Sequence, residues 1–160
     1  MRVAHRNAIV PDLSRIADGV HQVTASSTVL RTRIGENKDP KGWYEKAAAG
    51  RQIIEAVRPR VKYSLYGLTD PLRTLSRMPD WVAHTANADG QLADTLIDDM
   101  QKLQRAIDSA IRRSYRRGLP PSPIRRWWLD RKSSNAKATY QKFLASPIAE
   151  TAEEPPTTGL

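Results

Sequence analysis

The side chains best suited to chemistry crowd into one stretch: Lys102, Arg105, Arg112, Arg113, Arg116, Arg117, Arg125, Arg126, Trp127, Trp128, Arg131 and Lys132. The chemistry they suit is phosphate binding. Guanidinium groups grip phosphate oxygens through paired donors, and indole faces stack on unpaired bases. On a helix, Lys102, Arg105, Arg112 and Arg116 fall on one side, and Arg113 and Arg117 widen the patch. If about six of these cations touched phosphates, affinity would fall with salt at a log–log slope near −5 on duplex DNA. A competing reading uses the same residues. Cations suit the second half of a helix through its dipole, and Asp94, Asp98 and Asp99 occupy the other end. A solvated face or an acidic protein partner would account for that pattern. For Trp127 and Trp128 burial is the expectation, since large aromatics mostly bury. Neighbours on a helix diverge by ~100°, so one anchors the segment while the other stays available.

The charge map sharpens this. The 160-residue chain has a net charge of +9, which points to an acidic partner. Residues 1–100 hold 14 Lys/Arg against 12 Asp/Glu, a net of only +2. Residues 101–145 hold 12 against 2, a net of +10, while 146–160 hold three Glu and no base. The excess is local. A second, looser cluster is Arg58, Arg60 and Lys62, with Tyr63 and Tyr66 nearby.

Other chemistries find little support. The chain contains no cysteine, which removes disulfides, thiolate nucleophiles and thiolate metal sites. His5, His21 and His84 have no companions of a catalytic triad in sight. His21 reads as an exposed or half-buried neighbour of an apolar stripe. Asp94 and Asp98 are one turn apart, as are Asp80 and His84, but the Glu-x-x-His pairs of a di-metal bundle are missing. Neither a G-x-x-x-x-G-K phosphate loop nor a G-x-S-x-G elbow occurs. The expectation is a non-catalytic protein with no metal and no cofactor.

The elements that must position the basic stretch are helices. Pro11-Asp12 predicts a helix start, followed by Leu13, Ile16, Val20, Val23, Ser27, Leu30 and Ile34 at steps of three and four. Gly35 is expected to cap that helix in the left-handed region. Gly19 and the polar run Thr24–Thr28 weaken it. Asp39-Pro40 opens a second stripe: Trp43, Ala47, Gly50, Ile54, Val57, Val61 and Ser64. Small Ala47 and Gly50 would let a partner helix come close. Pro59 either kinks this helix or separates one ending at Val57 from another beginning there.

After a break at 67–71, Leu72, Leu75 and Met78 mark a short helix, and Pro79-Asp80-Trp81 opens another through Ala86. Asn87–Gly90 reads as a turn. The longest uninterrupted pattern follows, with Ala93, Leu96, Met100, Leu103, Ile107 and Ala110 forming a seam that stops before Pro120. Pro123 starts a last segment in which Ile124, Trp127 and Trp128 share a face. Ser133-Ser134-Asn135 should interrupt it before Tyr140, Phe143 and Leu144.

These readings predict an all-α, antiparallel helical bundle of three long heptad-patterned helices plus short ones. Residues 1–10 would form an arm, 11–118 the bundle, 119–145 a basic extension carrying the tryptophans, and 146–160 a disordered tail. No stretch approaches the ~18 apolar residues of a membrane span, and no signal-like core follows Met1. The expected setting is cytoplasmic, or inside a virion or nucleoprotein assembly, and not secreted.

The expected function is assembly with other protein chains plus sequence-nonspecific contact with nucleic acid through residues 102–132, in the manner of small packaging, virion or mobile-element proteins. The short helices over 71–86 lack the basic second helix of a helix-turn-helix reader. The alternative is a purely structural or adaptor subunit whose basic face meets acidic protein.

Overall fold

The computed structural model describes residues 2–61, 67–117 and 121–151. Five α-helices carry the fold: α1 (Arg2–Gly35), α2 (Lys41–Val57), α3 (Thr69–Ala88), α4 (Gly90–Arg117) and α5 (Pro123–Leu144). Short 3₁₀ turns cover Arg58–Val61 and Pro147–Thr151, and the described residues include no strand. The chain is an all-α bundle.

Contacts between helices fix their directions. Gly19 of α1 meets Gly50 of α2, and the Gln22 amide donates to the Lys46 carbonyl, so the two run antiparallel. Arg31 reaches Asp94 while the Tyr115 hydroxyl donates to the Val10 carbonyl, so α1 and α4 are antiparallel as well. The pairs Arg125–Ser109 and Thr139–Asp99 set α5 antiparallel to α4. By contrast, Asp70 meets Ser133 and His84 meets Tyr140, which makes α3 and α5 parallel. Direction therefore alternates along the whole chain. α1 packs on α2, α3 and α4, and α5 packs on α3 and α4.

The apolar stripes do most of the packing. Leu13, Ile16, Val20, Val23, Ser27 and Leu30 are buried on α1, and Ala93, Leu96, Met100, Leu103, Ile107 and Ala110 are buried on α4. Each large aliphatic side chain removed from water in this way contributes about 1.5–3 kcal/mol. The polar members of α1 are satisfied locally: Thr24 donates to the Val20 carbonyl and Ser27 to the Val23 carbonyl. Gly19 has a packing role. A Cβ there would sit 3.0 Å from the Gly50 carbonyl oxygen, so the two glycines let α1 and α2 touch backbone to backbone.

Several element boundaries differ from the sequence reading. α1 begins at Arg2, so the expected arm over 1–10 is helical from residue 2, with Pro11 inside the helix. Ile9 is buried in the core and Tyr115 bonds the Val10 carbonyl, which ties this first segment down. The left-handed residue after α1 is Asn37, at φ 53°, rather than Gly35. α2 stops at Val57, as one of the two readings of Pro59 required, and Tyr44 joins its buried face. Ser64 and the side chain of Val61 lie outside the described residues.

α3 is one helix, with Pro79 inside it and buried. A proline in a helix interior costs about 3 kcal/mol, and burial of Leu75, Met78, Pro79 and Val82 on a single face offsets it. α5 runs unbroken through Ser133-Ser134-Asn135. Ser133 is buried there, 2.6 Å from the Thr74 hydroxyl and donating to Asp70 at 3.0 Å. Of the expected tail, 147–151 forms a 3₁₀ turn, and 152–160 lie outside the described residues.

Asp89 starts α4. Its Oδ1 accepts from the backbone N–H groups of Gln91 and Leu92, the bonding of a helix N-cap. The acidic residues that follow have individual partners. Asp94 takes the Arg31 guanidinium at 2.7 Å, Asp98 takes Lys102, and Asp99 accepts from Thr139 at 2.9 Å.

Candidate nucleic-acid interface

The outer stripe of α4 is built by the same arithmetic as its buried seam. Lys102, Arg105, Ser109, Arg112 and Arg116 follow at steps of three and four, so they line one side of a helix whose other side carries Leu96, Leu103 and Ile107. Arg105, Arg112, Arg113 and Arg116 are exposed. α5 returns alongside, and its Arg125 donates to the Ser109 hydroxyl at 3.1 Å. The two helices thereby enclose an open cleft of about 460 Å³, lined by Arg105, Asp108, Ser109, Arg112, Arg113, Arg116 and Arg125. Five arginines line one concavity.

One acid shares the cleft. Asp108 bonds the His21 ring at Nε2 (3.2 Å), and the Gln104 amide nitrogen lies 2.7 Å from Nδ1 of the same ring. This geometry suits the tautomer in which Nδ1 accepts and Nε2–H donates. Burial lifts the Asp108 carboxyl above the usual aspartate range, although His21, Arg112 and Gln104 pull the other way. Lys102 stands at the margin. Its ammonium is bonded to Asp98 one turn back, and that bond and charge raise its pKa.

The tryptophans overturn the expectation of burial. Trp127 is 53% exposed, Trp128 is 50% exposed, and Ile124 beside them is 72% exposed. The buried face of α5 consists of Leu129, Ser133, Ala136 and Phe143 instead. Small residues at 133 and 136 hold that seam close to α3, so the indoles are left on the outside. Their rings meet edge to face, with centroids 5.4 Å apart and planes 79° apart. The Arg131 guanidinium lies 5.3 Å from the Trp127 ring, and the Lys132 ammonium lies 5.7 Å from the Trp128 ring.

Arg126 points to the other flank of α5. It packs where a Cβ on Gly67 would be, in a hollow shared with Asp70, Trp127 and Asp130. It is therefore not brought to the arginine cleft. The side chain of Arg117 lies outside the described residues. Arg73, Arg77 and Lys137 line a neighbouring hollow with Trp81 and Tyr140, and sequence reasoning passed over them. The spacing of Arg73 and Arg77, one turn apart, was the available signal. Lys137 is held by Asp70 at 2.8 Å, so this side is less basic than the α4 side. Lys137 and Ser133 also act on Asp70 in return. Burial raises its pKa, but those bonds and the charges of Lys137 and Arg73 leave it lowered.

The remaining candidates serve the scaffold. Asp80 binds Arg51 at 3.0 Å, joining α2 to α3. His84 is buried, with Nδ1 2.9 Å from the Tyr140 hydroxyl and its ring edge-on to Phe143. Tyr140 in turn stacks on Trp81 at 4.9 Å, so this cluster fastens the end of α5 to α3. In the second basic cluster, Arg58 pairs with Glu55 and Arg60 lies 3.8 Å from Asp12. Lys62, Tyr63 and Tyr66 lie outside the described residues. The stretch 71–86 is one helix, so it holds no helix-turn-helix pair. Among the described residues no three His, Cys, Asp or Glu side chains gather as a metal site would need. Among them, too, no helix is long and apolar enough to cross a membrane.

Comparison of the chain with protein-family models, with curated proteins and with solved structures finds no match. The arrangement has to be read from its own chemistry. It offers fixed positive charge in a concave setting, with aromatic faces beside it.

Proposed function

We propose that this chain is a non-catalytic helical assembly protein that contacts nucleic acid by neutralising phosphate, of the packaging, virion or mobile-element type. The observation that carries the reading is the cleft between α4 and α5, where Arg105, Arg112, Arg113, Arg116 and Arg125 face one concavity. Cations that merely complement a helix dipole have no reason to be joined by an arginine from the next helix. Convergence from two helices is what a phosphate chain requires. The hydrogen bond from Arg125 to Ser109 also pre-orders one of the five, which reduces the entropy lost on binding. Recognition would be sequence-nonspecific, and the setting would be the cytoplasm or the interior of a nucleoprotein assembly.

The test is binding of labelled duplex and single-stranded oligonucleotides across a salt series. If all five arginines touch phosphate, the log–log slope should be about −4.5 on duplex and about −3.5 on a single strand. Arg112→Glu together with Arg116→Glu should abolish binding while circular dichroism stays helical. Absent or salt-insensitive binding by the full chain would rule the reading out. Charge reversal is preferable to removal of α5, because Leu129, Ala136 and Phe143 belong to the core.

A purely structural or adaptor role, with the basic face on acidic protein, is the second reading. Exposed Ile124 beside two exposed indoles favours it, since such a patch can also seat a protein.

A further inference from the structure

We infer that the nucleic acid taken by this surface is single-stranded, with unpaired bases stacked on Trp127 and Trp128 while the phosphates run into the arginine cleft. The inference rests on the nucleic-acid reading above and specifies its ligand. Arg125, Trp128 and Lys132 follow at steps of three and four, so they form one stripe along α5. Arg125 already faces α4 through Ser109, which sets the Trp128 indole on the flank next to the cleft. Charge and aromatic surface are therefore continuous there, the combination that single-strand binders use.

The ring geometry selects against a duplex. Planes 79° apart cannot both lie parallel to one regular stack of bases. Bases that engage the two indoles must be splayed, which a single strand allows at little cost. A duplex would first have to unstack, at a few kcal/mol per step. Each indole also has a cation close by, Arg131 for Trp127 and Lys132 for Trp128, so a phosphate next to a stacked base meets positive charge. A bare apolar patch for a second copy of the chain would not need those cations. Asp130 lies on the Arg126 flank beside Trp127, where it opposes a broad anionic lipid surface more than a narrow strand that follows the Arg125, Trp128 and Lys132 stripe.

The experiment compares a labelled 20-nucleotide oligo-thymidylate with a 20-base-pair duplex at one salt concentration, using the full chain and the double variant Trp127→Leu/Trp128→Leu. Leucine keeps apolar bulk on a half-exposed face, and circular dichroism checks that the bundle is intact. The expected result is that the single strand loses about tenfold or more in affinity in the variant, while the duplex changes less than about twofold. Tryptophan fluorescence should be quenched by the oligo-thymidylate in the parent and much less so in the variant.

Equal loss on both ligands, or no loss on either, would overturn the single-strand inference and leave phosphate binding standing. No binding of either ligand by the parent would overturn both. If light scattering shows a dimer that the variant converts to monomer with oligonucleotide affinity unchanged, the patch joins two copies and the inference is wrong. Variant-sensitive binding to anionic vesicles, with oligonucleotide affinity again unchanged, would overturn it in favour of a membrane surface.

Discussion

Arg125 of α5 donates to the Ser109 hydroxyl of α4 at 3.1 Å, and that bond is where the two basic segments of the chain become one surface. Ser109 sits between Arg105 and Arg112 on the exposed stripe of α4, so the arginine from α5 enters the middle of the row. Its charge is useful twice, as a wall of the cleft and as a brace between helices.

Replacing Arg125 by alanine should therefore reduce the salt dependence of duplex binding by about 0.9 in log–log slope and weaken binding at every sequence tested. Ser109→Ala keeps the charge and should leave the slope unchanged, with only a modest fall in affinity. Lys102→Ala, which removes a cation already bonded to Asp98, should change the slope less than Arg125→Ala does. A salt titration of the three variants checks the order.

Two glycines on α2 should respond in opposite directions. A Cβ on Gly50 would lie 2.9 Å from Val23 Cγ2 and 3.0 Å from the Gly19 carbonyl oxygen, so Gly50→Val should cost about 1–3 kcal/mol. Gly42 has nothing within 4 Å of the same position, and Gly42→Ala should stabilise by about 0.4–1 kcal/mol. Urea unfolding followed by circular dichroism measures both.

Asp70 makes the fold acid-sensitive. Burial alone would raise its pKa, but bonds from Lys137 and Ser133, together with nearby charge, leave it below the ordinary value. The folded state thus binds that proton less readily than the unfolded chain. The stabilisation is present above the unfolded aspartate pKa of about 3.9 and is lost as pH falls through the lower folded value. Asp70→Asn should reduce the slope of stability against pH below about pH 4, as read from unfolding midpoints.

Asp108 has the reverse sign and touches the cleft. Its pKa is raised, with burial the leading cause, so the folded chain keeps this proton to higher pH than an ordinary aspartate. The contribution to stability falls as pH rises from the unfolded value through the folded one. For binding, the ionised carboxylate opposes phosphate beside Arg105 and Arg112. Affinity for an oligonucleotide should therefore rise as pH falls through the Asp108 range. Asp108→Asn should raise affinity a few-fold at neutral pH, on the order of 0.5–1 kcal/mol for one screened charge. It should also remove the Asp108 part of the pH dependence. Fluorescence anisotropy at matched ionic strength separates these outcomes.

Much of the fold was legible because helix seams are local. The stripes of α1 and α4 follow from steps of three and four, and Leu13 through Leu30 and Ala93 through Ala110 are buried as that spacing requires. The closeness allowed by Gly50 was legible too, though not that Gly19 would be what meets it. α5 was misread for a physical reason. Its seam runs through Leu129, Ser133 and Ala136, where small side chains permit close packing, and a polar Ser133 looks like an interruption until Thr74 and Asp70 satisfy it. Trp127 and Trp128, the bulky residues expected in the core, are exposed.

By itself the sequence determined that the chain is helical, where each long seam lies, and that positive charge gathers between residues 101 and 145. These depend on residue type and on spacing within a single helix. Only the tertiary structure decided that Arg125 joins the stripe of α4, that Arg126 turns to the other flank, that Asp108 sits among the arginines and that both tryptophans face outward. Those facts depend on which faces meet and in what direction, and burial on one side of α5 leaves its other side, with both indoles, exposed.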